Sequence, residues 1–176
     1  MKKIYFAILA LAALTLASCE KTPVGGTATQ ALAGQWSVSM QAVDSAGNVV
    51  LEDEDLFEIG HFHMLTYNTS ANQPDTMWLA GLESLDPAFT NLKLKVACDV
   101  NTLTFWGKEL ENSNGRHVDI RNGKILPKAA TTPSGMPADS IVFDYLVEGD
   151  QYAGQFYDFL RITGFRYTGL VNDELE

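Results

Sequence analysis

Two of the chain's three histidines, His61 and His63, stand two residues apart. On an extended strand this spacing puts both imidazoles on one face, where they could share a metal or act as an acid and base pair. A third metal ligand would have to come from another strand, and His117 is the one histidine left. The plainer reading is a pair of partly buried histidines, hydrogen-bonded to neighbours or lining a pocket. Nucleophilic chemistry is less well supplied. A serine hydrolase sets its serine on a strained turn beside an oxyanion hole, and the chain has no Gly-x-Ser-x-Gly. Ser134, in Thr132-Pro133-Ser134-Gly135, belongs to ordinary turn chemistry. Cys98 closes the alternating run Leu92-Lys93-Leu94-Lys95-Val96-Ala97-Cys98, in phase with Leu92, Leu94 and Val96. That is the place of a buried structural thiol, with no activating partner in sight. The acidic run Glu52-Asp53-Glu54-Asp55 lacks the ligand spacing and central glycine of a calcium loop and reads as a solvated turn. No catalytic residue, metal or cofactor is assigned.

The elements that must position these residues are strands. In Trp36-Ser37-Val38-Ser39-Met40-Gln41-Ala42 apolar and polar residues alternate without error, and Asp44-Ser45-Ala46-Gly47-Asn48 supplies a turn, with 49–51 returning as a hairpin partner. Residues 57–67 alternate Phe57, Ile59, His61, His63, Leu65 and Tyr67, taken as the inner face, against Glu58, Gly60, Phe62, Met64 and Thr66. Further strands are expected at 77–82, 92–98 and 103–106. Asn122-Gly123 signals a hairpin, 127–137 a long loop, and 140–147 and 151–170 the closing strands, the last broken near Gly164. About eight antiparallel strands joined by short turns leave two exposed edges unless the sheet closes on itself. The expected fold is therefore all-β, a single antiparallel up-and-down barrel of about eight strands, with a two-sheet sandwich as the alternative. Such a barrel is just wide enough for side chains or for one small ligand. If a cavity remains, Trp36, His61, His63, Tyr67, Trp78, Phe105, Phe143, Tyr145 and Phe156 would line it.

The start of the chain points to export. Met1-Lys2-Lys3, an apolar run over 4–16 and small residues before Cys19 make a secretory signal, and the run is shorter than the roughly 20 residues a membrane-spanning helix needs. Leu16-Ala17-Ser18-Cys19 resembles the lipobox of bacterial lipoproteins. The resemblance implies cleavage before Cys19 and acylation of its thiol and amino group, enough chains for stable anchoring. An ordinary secreted protein with a chance cysteine is the alternative. On this reading 1–18 is the signal peptide, 19–31 a lipidated flexible tether and 32–176 the barrel domain. The net charge of −10 becomes more negative once Lys2 and Lys3 are removed. Such a surface repels phosphate backbones, so nucleic acid is excluded as a partner.

Gly34-Gln35-Trp36 opens the first strand and resembles the Gly-x-Trp signature of lipocalin and calycin barrels. That likeness implies that Gly34 and Trp36 are structural, that Trp36 closes one barrel end, and that an arginine from the last strand packs across its ring. Arg161 and Arg166 both lie in the closing segment, and Arg166 is favoured. Three blocks extend the likeness over most of the mature chain: Asn122-Gly123-Lys124-Ile125-Leu126, then Thr132-Pro133-Ser134-Gly135-Met136 with Ala138-Asp139-Ser140-Ile141, and Ile162-Thr163-Gly164-Phe165-Arg166-Tyr167-Thr168-Gly169-Leu170. In their order they resemble a family of Bacteroidetes lipoproteins described as lipid-binding putative hydrolases with a calycin-like barrel. The implied protein is a monomer in the cell envelope, held on the outer membrane through Cys19, that binds a small apolar or lipid-like ligand without a cofactor. Two other readings stay open: a hydrolase using the His61 and His63 face, and a packed barrel whose loops contact an envelope partner.

Overall fold

Alternation becomes sheet wherever the inward rows of neighbouring strands can meet, and here eight rows meet in a ring. The structure, a computed structural model, describes residues 25–51, 60–81, 92–113 and 115–174. The signal peptide, Cys19, residues 20–24 of the tether, the acidic run at 52–55 and the first residues of the 57–67 alternation lie outside the described residues. The strands are β1 (Gly34–Val43), β2 (Phe62–Asn68), β3 (Thr76–Gly81), β4 (Lys93–Asp99), β5 (Thr104–Glu111), β6 (His117–Thr131), β7 (Pro137–Val147) and β8 (Phe159–Arg166). They form a closed antiparallel barrel in sequence order, with β8 returning to β1. Closure leaves no free edge to template aggregation.

The inward rows supply a filled core. Trp36, Val38, Met40 and Ala42 from β1 meet Leu94, Val96 and Cys98 from β4, Phe143 and Tyr145 from β7, and Leu160 and Ile162 from β8. Trp36, Phe105, Phe143 and Tyr145 are among the largest fully buried side chains, each stabilising the barrel by about 1.5–3 kcal/mol through the area it removes from water. Phe105 and Phe143 pack edge to face at 5.6 Å between ring centroids, and the Tyr145 hydroxyl reaches the Met40 sulfur at 3.8 Å. The space that could have been a ligand chamber is occupied by the protein's own aromatics where these residues meet.

Several local expectations are corrected. Asn122-Gly123 does not turn a hairpin: it lies inside β6, at a register shift against β7 between Arg121 and Lys124. Asn122 has φ of 56°, so the left-handed conformation that asparagine tolerates serves a bulge instead of a turn. A Cβ at Gly123 would run into the Phe105 carbonyl and ring, so the bulge also lets β5 approach closely. The expected loop over 127–137 shrinks, because β6 continues through Pro127 to Thr131 and β7 begins at Pro137. A second bulge between Leu126 and Ala130 accommodates the proline. Residues 49–51 contribute a single bridge, Val43 to Val49, and no strand. The closing strand is the shorter β8, and Gly164 does not break it. There a Cβ would strike the Ser37 carbonyl and the backbone of Val38, so glycine allows β1 and β8 to pair tightly.

Candidate functional site

One barrel end is closed. A short 3₁₀ turn at Gln30–Leu32 lies across it and buries Leu32 in the core. Trp36 sits directly above, wholly buried, its indole Nε1 donating to Thr66 Oγ1 at 2.9 Å, while that hydroxyl donates to the Leu32 carbonyl at 2.6 Å. Arg166, paired with Trp36 across β1 and β8, places its guanidinium 4.6 Å from the ring centroid. It also donates to the Ala33 carbonyl at 2.8 Å and to the Asp139 carboxylate at 3.1 Å. Three groups thus hold the arginine as a bolt between the first strand, the last strand and the turn.

The opposite end, where β1, β3, β5 and β7 finish, forms the mouth. At its rim a cleft of about 420 Å³ opens between β5, β6, β7 and the connection to β8, lined by Glu109, His117, Asp119, Leu146, Val147, Glu148, Gly149, Asp150 and Ala153. Val147 belongs to the buried core and Ala153 packs against it, so the apolar part of the cleft is continuous with the barrel interior. Around it stand four carboxylates, and among the described residues no lysine or arginine lines it. Glu148 holds His117, Nδ1 to Oε2 at 2.8 Å. That hydrogen bond raises the imidazole above its ordinary value and lowers the carboxyl below its own. Asp150 is held by the Tyr157 hydroxyl at 2.7 Å and the Tyr152 backbone N–H at 2.9 Å. Burial, then that same bond to Asp150, pushes the Tyr157 phenol well above its usual range. Asp119 accepts the Glu109 backbone N–H at 2.6 Å, where β5 bulges. Asp119, Glu148 and Asp150 are therefore fixed by partners beside an apolar floor, while the Glu109 carboxylate stands exposed with Lys108 3.9 Å away. Such an arrangement can hold an amphipathic molecule and orient a neutral or cationic head.

Beside the mouth, Asp144 is buried completely on the wall between β6 and β8. Arg161 Nε donates to it at 2.7 Å and Asn122 Nδ2 at 2.8 Å, with Arg121 Nε 3.3 Å away. Burial works to raise this carboxyl, but the bonds from Arg161 and Asn122 and the two positive charges outweigh it and hold it below the ordinary carboxylate range. The arginines reach on to the β1–β2 turn, Arg161 to the Gly47 carbonyl at 2.8 Å and Arg121 to the Asp44 carbonyl at 3.3 Å. The cluster braces one side of the mouth.

The residues expected to line a cavity divide three ways. Trp36, Phe105, Phe143 and Tyr145 fill the core. His63, Tyr67 and Trp78 do not face inward, which corrects the phase assigned to the second strand, and half-buried His61 precedes β2. Its buried residues are Met64 and Thr66, with Phe62 packed against the core, while His63, Leu65 and Tyr67 are half-buried on the outside. His63 stacks against Tyr167 at 4.5 Å, and Lys93 lies over Trp78 at 5.1 Å. Phe156 is 58% exposed, in the β7–β8 connection next to Tyr152. Ser134 belongs to the β6–β7 loop at the closed end, its hydroxyl paired with Thr132 at 2.9 Å and its backbone N–H with Asp173 at 2.7 Å, and it is not brought to the cleft. Cys98 is 4% exposed, and burial first, with Asp75 and Asp99 adding, pushes its thiol up to about 11. Among the described residues no three His, Cys, Asp or Glu side chains stand close enough to share a metal ion.

The cleft residues escaped the sequence reading because they are drawn from β5, β6, β7 and one connection. Only the lone His117, opposite an acidic Glu148-Gly149-Asp150 turn, offered a signal. Residues 21–171 match the model of a family described as lipid-binding putative hydrolase. No curated protein matches the chain.

Proposed function

The chain belongs to the lipid-binding putative hydrolase family, and from that premise we propose that it is a lipid-anchored envelope protein that holds a small amphipathic ligand at the mouth of its barrel. Family and barrel both fit ligand binding. The observation that carries the reading is the contrast between a core packed with aromatics and a cleft of about 420 Å³ at the rim, apolar at Leu146, Val147 and Ala153 and acidic around them. A ligand chain would lie on that floor and remove apolar surface from water. Its head would face Glu109, Asp119, Glu148 and Asp150, which disfavour another anion. Among the described residues the cleft lining holds no serine, threonine or cysteine, and the reading rests on its apolar floor and acidic rim. Support for lipid anchoring comes from the Leu16-Ala17-Ser18-Cys19 sequence after an apolar leader; an outer-membrane location and a monomeric state are part of the same proposal.

Native mass spectrometry of protein extracted gently from its host tests both parts. The expected result is a monomer that begins at Cys19 with acyl chains attached and releases a bound amphiphile on denaturation. A Cys19→Ala chain still processed at the same site and retained on membranes would overturn the anchor. Ligand-free protein, with no saturable uptake of neutral or cationic amphiphiles after lipid stripping, would overturn the binding site.

A further inference from the structure

The closed end carries three exposed apolar side chains that neither the core nor the cleft uses. Met136 is 57% exposed, Leu170 51% and Val171 86%. They come from two segments tied together through Asp173, whose wholly buried carboxylate accepts the Ser134 backbone N–H at 2.7 Å and the Thr168 hydroxyl at 2.6 Å. The C-terminal segment leaves β8 beside the start of β1, where the Tyr167 N–H donates to the Gln35 carbonyl at 2.9 Å. The tether enters at this same end. Ala28 donates its N–H to Asn72 in the β2–β3 turn at 2.8 Å, Thr29 is buried, and the turn at Gln30–Leu32 follows.

The length of chain between lipid and domain then limits how the domain can sit. From Cys19 to Gly25 there are six residue steps, which even fully extended reach only about 22 Å. β1 has 10 residues, so at the usual rise and barrel tilt the mouth stands about 25 Å beyond the closed end. Resting on the outlying Met136, Leu170 and Val171 costs the tether nothing in reach, whereas turning the mouth down would demand its full extension along the barrel wall. Toward this end Asp75, Asp99 and Glu174 outnumber the exposed Lys128, and their net repulsion of anionic headgroups favours a zwitterionic surface.

We propose that the closed end of the barrel docks on the zwitterionic bilayer in which Cys19 is anchored, seating Met136, Leu170 and Val171 among the headgroups and turning the mouth cleft away from that membrane. The orientation rests on the lipid-anchor reading. It implies that the ligand is exchanged with the aqueous side or with something facing the mouth, and not drawn from the anchoring leaflet directly beneath the domain.

The test uses lipidated full-length protein in phosphatidylcholine and phosphatidylethanolamine vesicles, with Cys98→Ala as background. Single labels at Pro133→Cys and Asn172→Cys report the closed end, and one at Gln155→Cys the mouth; all three positions are exposed. Spin-labelled headgroups should quench the first two several-fold more than the third, and Met136→Glu/Leu170→Glu/Val171→Glu should abolish the difference while the protein still floats with vesicles. Equal quenching at all three sites, or stronger quenching at Gln155→Cys, in protein that floats with vesicles overturns the docking and leaves the anchor standing. Protein that carries no acyl mass and does not float overturns both.

Discussion

Replacing Asp144 by asparagine takes one negative charge from beneath two arginines and leaves the shape of the side chain almost unchanged. The wild-type carboxylate is wholly buried, receives Arg161 Nε at 2.7 Å and Asn122 Nδ2 at 2.8 Å, and has Arg121 Nε 3.3 Å away. Removing one partner of a buried ion pair costs about 3–5 kcal/mol. The arginine side chains keep 23% and 29% of their exposure, so water recovers part of that loss, and about 2–4 kcal/mol is expected. In a domain of this size that lowers Tm by about 5–15 °C. The sign of the pH dependence follows from the depressed carboxyl of folded Asp144. Its contribution is complete above the unfolded value of about 3.9 and disappears as pH falls through the folded value. Urea melts of both proteins from neutral to strongly acid pH should therefore differ by the full amount at pH 7 and converge in acid. A neutral-pH loss under about 1 kcal/mol, or a difference that stays constant into acid, would refute the bracing role given to this carboxylate.

Trp36→Ala should cost about 3–5 kcal/mol, because it empties the closed end and strips Arg166 of its ring; calorimetry on the purified barrel measures it. Gly164→Ala should destabilise by about 1–3 kcal/mol or shift the β1–β8 register, since the added methyl meets backbone atoms that cannot swing aside; denaturant melts with amide exchange across β1 and β8 distinguish the two. The Cys98 thiol, pushed up to about 11 and buried, should resist aromatic disulfide reagents at neutral pH until the protein unfolds, which a timed absorbance assay with and without denaturant checks.

Strand count and closure were legible because uninterrupted alternation over β1 and β4 leaves few ways to bury Trp36, Val38, Met40, Leu94, Val96 and Cys98. Phase was not legible in β2. Alternation separates Phe62, Met64 and Thr66 from His63, Leu65 and Tyr67 without saying which set faces inward, and the second set carries as much apolar surface. The decision falls to Thr66, a polar residue that belongs inside only because Trp36 and the Leu32 carbonyl both bond its hydroxyl. Asn122-Gly123 misled for a related reason. A left-handed residue is equally useful in a tight turn and in a bulge, and what selects the bulge is the packing of Phe105 against Gly123. The mouth cleft was the least legible feature, since its carboxylates gather only when β5, β6 and β7 bring them to one rim.

Ligand position decides between the mouth cleft and the barrel core. Labelled methyl and backbone signals followed during titration of lipid-stripped protein with a neutral or cationic single-chain amphiphile locate it directly. Saturable shifts should appear at Leu146, Val147 and Ala153, weaken with Glu148→Lys/Asp150→Lys, and be far smaller for an anionic amphiphile of the same chain. Shifts centred instead on Trp36, Phe105, Phe143 and Tyr145, or saturable binding indifferent to the charge of the head, would contradict the mouth-cleft site.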